Sequence, residues 1–361
     1  MRSIRVLAVV VLTSACGTGG ATVRSPTLAS PTVASPQAAS VPGAPPAWAY
    51  GFATAAVPGA TPPGAPPPGA RAGGAGGGRA GGAPPVDTVK RTVAGSAQSF
   101  TASQIRDTFG PADWFPGDHP VMPPIVANGR REAQILACSL CHYPNGKGRP
   151  ENAAVSGLPV SYFVQTMLDF KRDVRKSADA RKANTGRMIA FAKSMTDDEI
   201  RASAEYFGAI TWTPWIRVVE TAQVPKTRIA GGLFIALDGT DAGKEPIGAR
   251  IIEVPENNEQ TETLRNPRSG FVAYVPVGSI KKGEAVAVRG QCALCHGATL
   301  GGLGPVPGIG GRSASYMMRQ LYDMKSGARN GVWGDLMKGV VRGMTEDDML
   351  SVSAYVASRT P

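Results

Sequence analysis

Apolar residues recur at helical spacing through most of the chain after about residue 125. In residues 162–172 and 316–325 they lie three and four positions apart, which predicts two amphipathic helices. The runs that start at Thr196 and Thr345 are capping boxes, each with an acidic residue at the third position after the threonine. Each box predicts the start of a further helix, so the fold class is mainly α.

Between these helical parts the pattern changes to short β-favouring runs. Residues 229–237, 250–254 and 271–275 are such runs, separated by Gly, Pro, Asn and Asp. We interpret residues 212–279 as a β-rich connecting segment, a small sheet or hairpin that packs between the helical parts. The segment contains no His, Cys or Met, so it supplies no strong metal ligand.

The N-terminus has the pattern of an export signal. Arg2 and Arg5 precede a short apolar run, and Cys16 follows small residues as in a bacterial lipoprotein processing site. Residues 1–16 are therefore predicted to be a signal peptide of the lipoprotein type, with lipid attached at Cys16. Ordinary cleavage near Cys16 is the alternative. We expect no transmembrane helix in the mature chain.

Residues 17–95 differ in composition from the rest of the chain. They are rich in Ala, Pro and Ser and then in Gly, Pro and Ala, with 18 Gly or Pro among the 28 residues of 58–85. Such a composition has little apolar surface to bury and cannot offset the entropy cost of ordering. We therefore expect residues 17–95 to be a disordered linker.

An internal repeat organises the remainder of the chain. Residues 138–211 and 292–361 each contain Cys-X-X-Cys-His, then Ser-Tyr 19 and 20 positions after the histidine, then the capped final helix. The repeat predicts two helical domains, 96–211 and 280–361, joined by the β-rich segment. Residues 129–137 and 283–290 are expected to form short helices that lead into the two motifs.

The two Cys-X-X-Cys-His motifs carry the chemistry. Two thiols three residues apart on a helical turn reach the two vinyl groups of one haem edge, and the next histidine lies beneath the iron. The alternatives are a redox-active cysteine pair and half of a zinc site, and neither explains a histidine after both pairs. We predict two covalently bound haem c groups, with six attachment residues: Cys138, Cys141, His142, Cys292, Cys295 and His296.

Each iron also needs a ligand on its opposite face or an open position. His119 is the single histidine outside the motifs, so two bis-histidine haems are excluded within one chain. Met188 and Met337 occupy equivalent positions, eight residues before the capped helix, where we expect a loop to return over the haem. We favour these as sixth ligands, with Met195 and Met344 as rivals and His119 as the fallback for the first haem.

These motifs resemble class I cytochrome c domains, and two in tandem resemble the dihaem, cytochrome c4-like arrangement. The resemblance covers about residues 125–211 and 280–361. It implies small helical domains, His/Met haem ligation and electron transfer in the bacterial periplasm. It also implies that the loop around Pro305 supports the second histidine, with looser matches at residues 147–150 and 157–159 in the first copy.

We therefore predict an electron carrier without catalytic residues, a cytochrome subunit of a dehydrogenase or respiratory chain. The alternatives are a dihaem peroxidase or thiosulfate-oxidising enzyme with an open haem, or a gas sensor. The formal charge of +11 favours acidic redox partner proteins or an anionic membrane surface, whereas export argues against nucleic acid. The predicted location is the periplasm, with a possible lipid anchor.

Overall fold

The computed structural model describes residues 43–54 and 87–360 of the chain. These residues belong to one compact unit, Ser40–Pro361. The predicted signal peptide, its Cys16 and most of the predicted linker lie outside the described residues. Within the described ranges, no helix is both long and apolar enough to cross a bilayer.

Helices form most of the regular structure in the described ranges. In chain order they are α1 (Ala102–Ile105), α2 (Pro124–Ala127), α3 (Cys138–His142), α4 (Val160–Lys171), α5 (Ala183–Ser194), α6 (Asp197–Gly208), α7 (Ser279–Arg289), α8 (Cys292–His296), α9 (Ala314–Lys325), α10 (Val332–Val341) and α11 (Glu346–Ala357). Helices α3 to α6 belong to the first repeat and α8 to α11 to the second. Helix α7 leads into the second motif, and α1 and α2 precede the first.

The strands are short. In chain order they are β1 (Arg91–Thr92), β2 (Ser99–Phe100), β3 (Ile216–Glu220), β4 (Gln223–Pro225), β5 (Thr227–Ala230), β6 (Leu233–Ala236), β7 (Lys244–Pro246), β8 (Ile252–Pro255), β9 (Phe271–Val275), β10 (Gly302–Leu303) and β11 (Val306–Pro307). The largest sheet has the order β3-β9-β8, with β3 parallel and β8 antiparallel to β9. The other strands form two-stranded pairs.

The local signals that mark helices in the sequence agree with the structure. Helix α9 contains the predicted segment 316–325, and α4 contains the predicted segment 162–172 except for its last residue, Arg172, which is the C-cap. Thr196 and Thr345 each accept a hydrogen bond from the backbone three residues later, and both capping boxes are complete. The prediction of a helix over residues 129–137 was wrong, because the chain there makes only one 3-10 turn and Gly129 has a φ of +67°.

The β-rich segment shares its apolar core with the second repeat. The run 229–237 is not one strand but the hairpin β5–β6, since the chain turns at residues 231 and 232. One cluster of buried side chains contains Ile252 and Phe271 of the sheet together with Met318 and Val352 of the second repeat. The first repeat has a separate core cluster. The segment therefore extends the apolar core of the second repeat.

A small third core lies ahead of the first motif. Val93, Ile105 and Trp114 pack with Leu264, which comes from the β-rich segment. The indole N–H of Trp114 donates to the backbone carbonyl of Leu264 at 2.7 Å. Residues 87–95, predicted to be disordered, thus include strand β1 and a buried valine.

Residues 43–54 correct the prediction of a linker that is disordered throughout. Trp48, Ala49 and Tyr50 form a 3-10 turn with Ala47 and are buried, with exposed fractions of 4%, 1% and 0%. The Tyr50 hydroxyl donates to Asp323 at 2.7 Å, and Arg319 donates to the carbonyl of Ala49. We call residues 43–54 the strap, because they bind across the second repeat.

The strap also contacts the first repeat and the β-rich segment. Arg181 lies over the ring of Phe52 at 4.2 Å, and Arg250 donates to the carbonyl of Thr54 at 2.9 Å. Gly51 has a φ of +81° and lies directly against the backbone of Gly232, where a side chain would not fit. Three aromatic residues give this short segment the apolar surface that its Pro- and Gly-rich neighbours lack.

We expect Trp48→Ala to lower the free energy of unfolding by about 3 kcal/mol, because a fully buried indole is removed from a packed core. Chemical denaturation measures this change. Trp48→Phe is the matched control and should retain most of the stability. Equal stability of Trp48→Ala and the parent protein would show that the strap does not bind in solution.

Candidate metal centres

One large cavity brings the predicted ligands of both repeats together. Its walls include apolar side chains of each repeat, among them Phe163, Phe170 and Val352. The cavity is lined by all of the predicted ligands: Cys138, Cys141, His142, Met188, Cys292, Cys295, His296 and Met337. The rival methionines Met195 and Met344 line it as well.

The two motif histidines are held in the same orientation. Nδ1 of His142 is 2.9 Å from the carbonyl oxygen of Ala153, and Nδ1 of His296 is 2.8 Å from that of Pro307. A carbonyl oxygen only accepts, so Nδ1 carries the hydrogen and Nε2 keeps a free lone pair. Burial lowers the pKa of both histidines, which keeps them neutral. Both imidazoles are thus prepared to bind a metal through Nε2.

The loops that orient these histidines agree with the resemblance in the second repeat and differ from it in the first. In the second repeat the acceptor is Pro307, which lies in the loop around Pro305, residues 302–311. In the first repeat neither residues 147–150 nor residues 157–159 supply the acceptor, because Ala153 does. In both copies the acceptor follows the histidine by 11 residues. The equal offset is the signal in the sequence that identifies this contact.

The four motif cysteines are free thiols on the short helices α3 and α8. Burial raises the pKa of Cys138 to about 12, and it also raises the pKa of Cys141 and Cys292. A redox-active cysteine pair needs the opposite, a lowered thiol pKa. The surroundings therefore disfavour the redox alternative. Two thiols, a neutral imidazole and apolar walls fit a covalently attached haem.

The methionines differ from the prediction in their secondary structure. Met188 lies in helix α5 and Met337 in helix α10, so neither is presented by a loop. Both are partly buried and line the cavity. The rivals Met195 and Met344 are 4% and 5% exposed and belong to the two core clusters.

The two sites differ in how the chain covers them. At the first site Arg265 donates to the carbonyl of Leu140, inside the motif, and its guanidinium lies 5.4 Å from the ring centre of Tyr143. At the second site Leu294, the equivalent of Leu140, is 70% exposed, and Cys295 is also exposed. Arg265 comes from the β-rich segment, so this segment covers the first motif.

His119, the fallback ligand, does not line the cavity. Its Nδ1 is 2.9 Å from the carbonyl oxygen of Pro120, and its Nε2 is 3.2 Å from the carboxylate of Asp113. Its ring packs edge-on against Tyr206. Nδ1 thus contacts a backbone carbonyl and Nε2 lies within ion-pair distance of a carboxylate, and both contacts favour the charged imidazolium.

Known proteins resemble this chain over most of its length. It is 33% identical over 237 residues to the thiosulfate dehydrogenase electron acceptor of Stutzerimonas stutzeri (strain A1501), covering 65% of this chain and 84% of that protein. It is 26% identical over 141 residues to cytochrome c4 of Stutzerimonas stutzeri, covering 34% and 67%. The solved structure of reduced recombinant cytochrome c4 from Pseudomonas stutzeri has a TM-score of 0.38 at 18% identity, covering 62% and 93%. No protein-family model matches the chain.

The ion pair of His119 predicts a dependence of stability on pH. Burial alone would lower the pKa of His119, but Asp113, the Pro120 carbonyl and Asp118 outweigh it, so the pKa is raised. A raised pKa in the folded state gives stability that is complete below the ordinary value of about 6.5 and is lost as the pH rises through the folded value.

We therefore expect His119→Asn to reduce the free energy of unfolding by roughly 1 kcal/mol at pH 6 and by less at pH 9. Denaturant titrations of both proteins at the two pH values measure the difference. A deficit that is equal at both pH values would contradict a charged His119.

Proposed function

We propose that this chain, which belongs to the tandem dihaem family of class I c-type cytochromes, transfers electrons through two covalently attached haem c groups in the bacterial periplasm. Cys138 and Cys141 would attach the first haem, and Cys292 and Cys295 the second. His142 and His296 would bind the two irons through Nε2. When bound, each haem supplies a one-electron couple.

The observation that supports this most strongly is the shared orientation of the two motif histidines. Each is neutral, has its Nδ1 hydrogen on a backbone carbonyl 11 residues later and lies beside two thiols at one cavity. A fixed imidazole changes little when a metal changes charge, which suits electron transfer. Since both sites line the same cavity, we infer that an electron can pass from one haem to the other.

We propose Met188 and Met337 as the sixth ligands. They line the cavity from helices α5 and α10 and are only partly buried. Met195 and Met344 precede the capped helices directly, and their backbone carbonyls accept hydrogen bonds from Lys171 and Lys325. These two positions are tied into the core, so we assign them a packing role. With methionine bound, neither iron has a position for substrate.

We propose a periplasmic dehydrogenase as the electron donor. One relative is named as the electron acceptor of a thiosulfate dehydrogenase. The basic charge of this chain favours a donor with an acidic docking surface, and long-range attraction of this kind raises association rates at low salt. The chain itself would have no catalytic residue, and export followed by lipid attachment at Cys16 would place it at the membrane surface.

Rapid mixing with a thiosulfate dehydrogenase tests the donor. We expect the oxidised chain to take up two electrons when thiosulfate and the dehydrogenase are both present, at a rate that falls with added salt. Thiosulfate without the dehydrogenase should leave the chain oxidised. Reduction by thiosulfate alone, or rapid binding of carbon monoxide by the reduced chain, would instead favour an enzyme or sensor with an open haem.

The proposed sixth ligands can be tested by substitution of the methionines. We expect Met188→Leu and Met337→Leu each to lower the reduction potential of one haem and to open it to carbon monoxide, because the thioether that raises the potential is removed. Potentiometric titration and visible spectra measure both effects. The matched controls Met195→Leu and Met344→Leu should keep both potentials and remain closed. The reverse outcome would reassign the ligands to Met195 and Met344.

A further inference from the structure

The cavity between the repeats has an unusual charge balance. Five buried cationic side chains line it: Arg175, Lys182, Arg312, Arg319 and Arg329. Within residues 43–54 and 87–360, none of the five forms an ion pair with a carboxylate. A buried cation without a counter-charge is costly, so such a set indicates that an anion belongs there.

The carboxylates at the cavity do not balance this charge. Two buried acidic residues line it, Glu151 and Asp323. Glu151 lies 2.6 Å from Arg149 and is neutralised by it. Asp323 is therefore left against the five cations, four of which are arginines. Burial and then the neighbouring Arg319 lower the pKa of Lys182 to about 7, so the arginines carry most of the excess positive charge.

Two of the five cations cross the junction of the repeats in a reciprocal arrangement. Arg175 donates to the hydroxyl of Tyr316 at 3.2 Å, and Arg329 donates to the hydroxyl of Tyr162 at 2.8 Å. Each arginine follows the tyrosine of its own repeat by 13 residues, so the two are equivalent. The backbones of the two arginines form an antiparallel bridge. We call these four residues the cross-brace.

The partners of the cross-brace are neutral. Both guanidinium groups also donate to the side-chain oxygen of Gln320, at 3.0 Å from Arg175 and 2.8 Å from Arg329. Burial raises the pKa of Tyr162, but Arg329 and Arg175 outweigh this and lower it to about 8. The surroundings of the cross-brace thus stabilise negative charge, although the side-chain hydrogen bonds of both guanidinium groups in the described part of the chain go to neutral oxygens.

We propose that Arg175 and Arg329 form a carboxylate-binding site at the junction of the repeats, and that it binds propionate groups of the two haems. This inference rests on the proposed two-haem function. Two haems carry four propionate carboxylates, and the buried arginines at the cavity supply an excess of positive charge opposite them. Guanidinium groups bind carboxylates in a directed, charge-assisted way. The site would couple the haems, since each arginine contacts both repeats.

This coupling predicts the effect of each arginine on both redox couples. A nearby cation favours the reduced haem, because reduction removes one positive charge. Arg175→Gln and Arg329→Gln should therefore each make both couples more negative. We expect at least one couple in each variant to shift by tenfold or more in the ratio of reduced to oxidised haem, which is about 59 mV.

Potentiometric titration of the full-length holoprotein measures these couples, and resonance Raman spectra of the propionate bending modes report the contact itself. Arg175→Lys and Arg329→Lys keep the charge, so we expect less than half of the shift in potential but the same change in the propionate modes. Arg342→Gln removes an exposed cation and is the matched control, with less than a twofold change expected.

The haem content distinguishes a failure of the proposed function from a failure of the carboxylate site. A parent protein with fewer than two haems would contradict the proposed function. Glutamine variants that carry two haems with unchanged potentials and unchanged propionate modes would overturn the carboxylate site alone. If the glutamine variants do not accumulate, the lysine variants test the carboxylate site instead. Unaltered propionate modes in both lysine variants would overturn the carboxylate site.

Discussion

The structure depends on one cavity that combines apolar walls with a buried positive edge. The two repeats face each other across it, and their motif histidines, thiols and methionines all line it. Neither repeat encloses this space alone, because Arg175 and Arg329 each complete their hydrogen bonds on the other repeat. With the proposed haems bound, this arrangement would enclose two groups that are each apolar in the body and anionic at one edge.

The strap and the β-rich segment both cover parts of the two repeats from outside. The strap reaches Asp323 and Arg319 at the rim of the cavity, and Arg265 of the β-rich segment covers the first motif. The second motif stays open, with Leu294 exposed. We therefore expect redox partners to approach the chain at the exposed second motif.

The local features of the structure could be predicted from the sequence, and the tertiary contacts could not. The capping boxes at Thr196 and Thr345 and the Cys-X-X-Cys-His motifs depend on neighbouring residues only. Ala153 escaped prediction because it acts through its backbone carbonyl, which any residue supplies. Arg175 and Arg329 stand at equal positions in the repeat, yet their contacts exist only after the repeats pack. The strap was hidden by its Pro- and Gly-rich surroundings, although Trp48, Tyr50 and Phe52 are a local excess of aromatic residues.

The central claim is that both motifs attach haem, and the mass of the mature protein tests it most directly. The chain would be produced in a host that carries out cytochrome c maturation, and its intact mass and its motif peptides would be measured. The account predicts two haem increments, one on the peptide with Cys138 and Cys141 and one on the peptide with Cys292 and Cys295. A colourless product without a tetrapyrrole increment, or with only one, would contradict it.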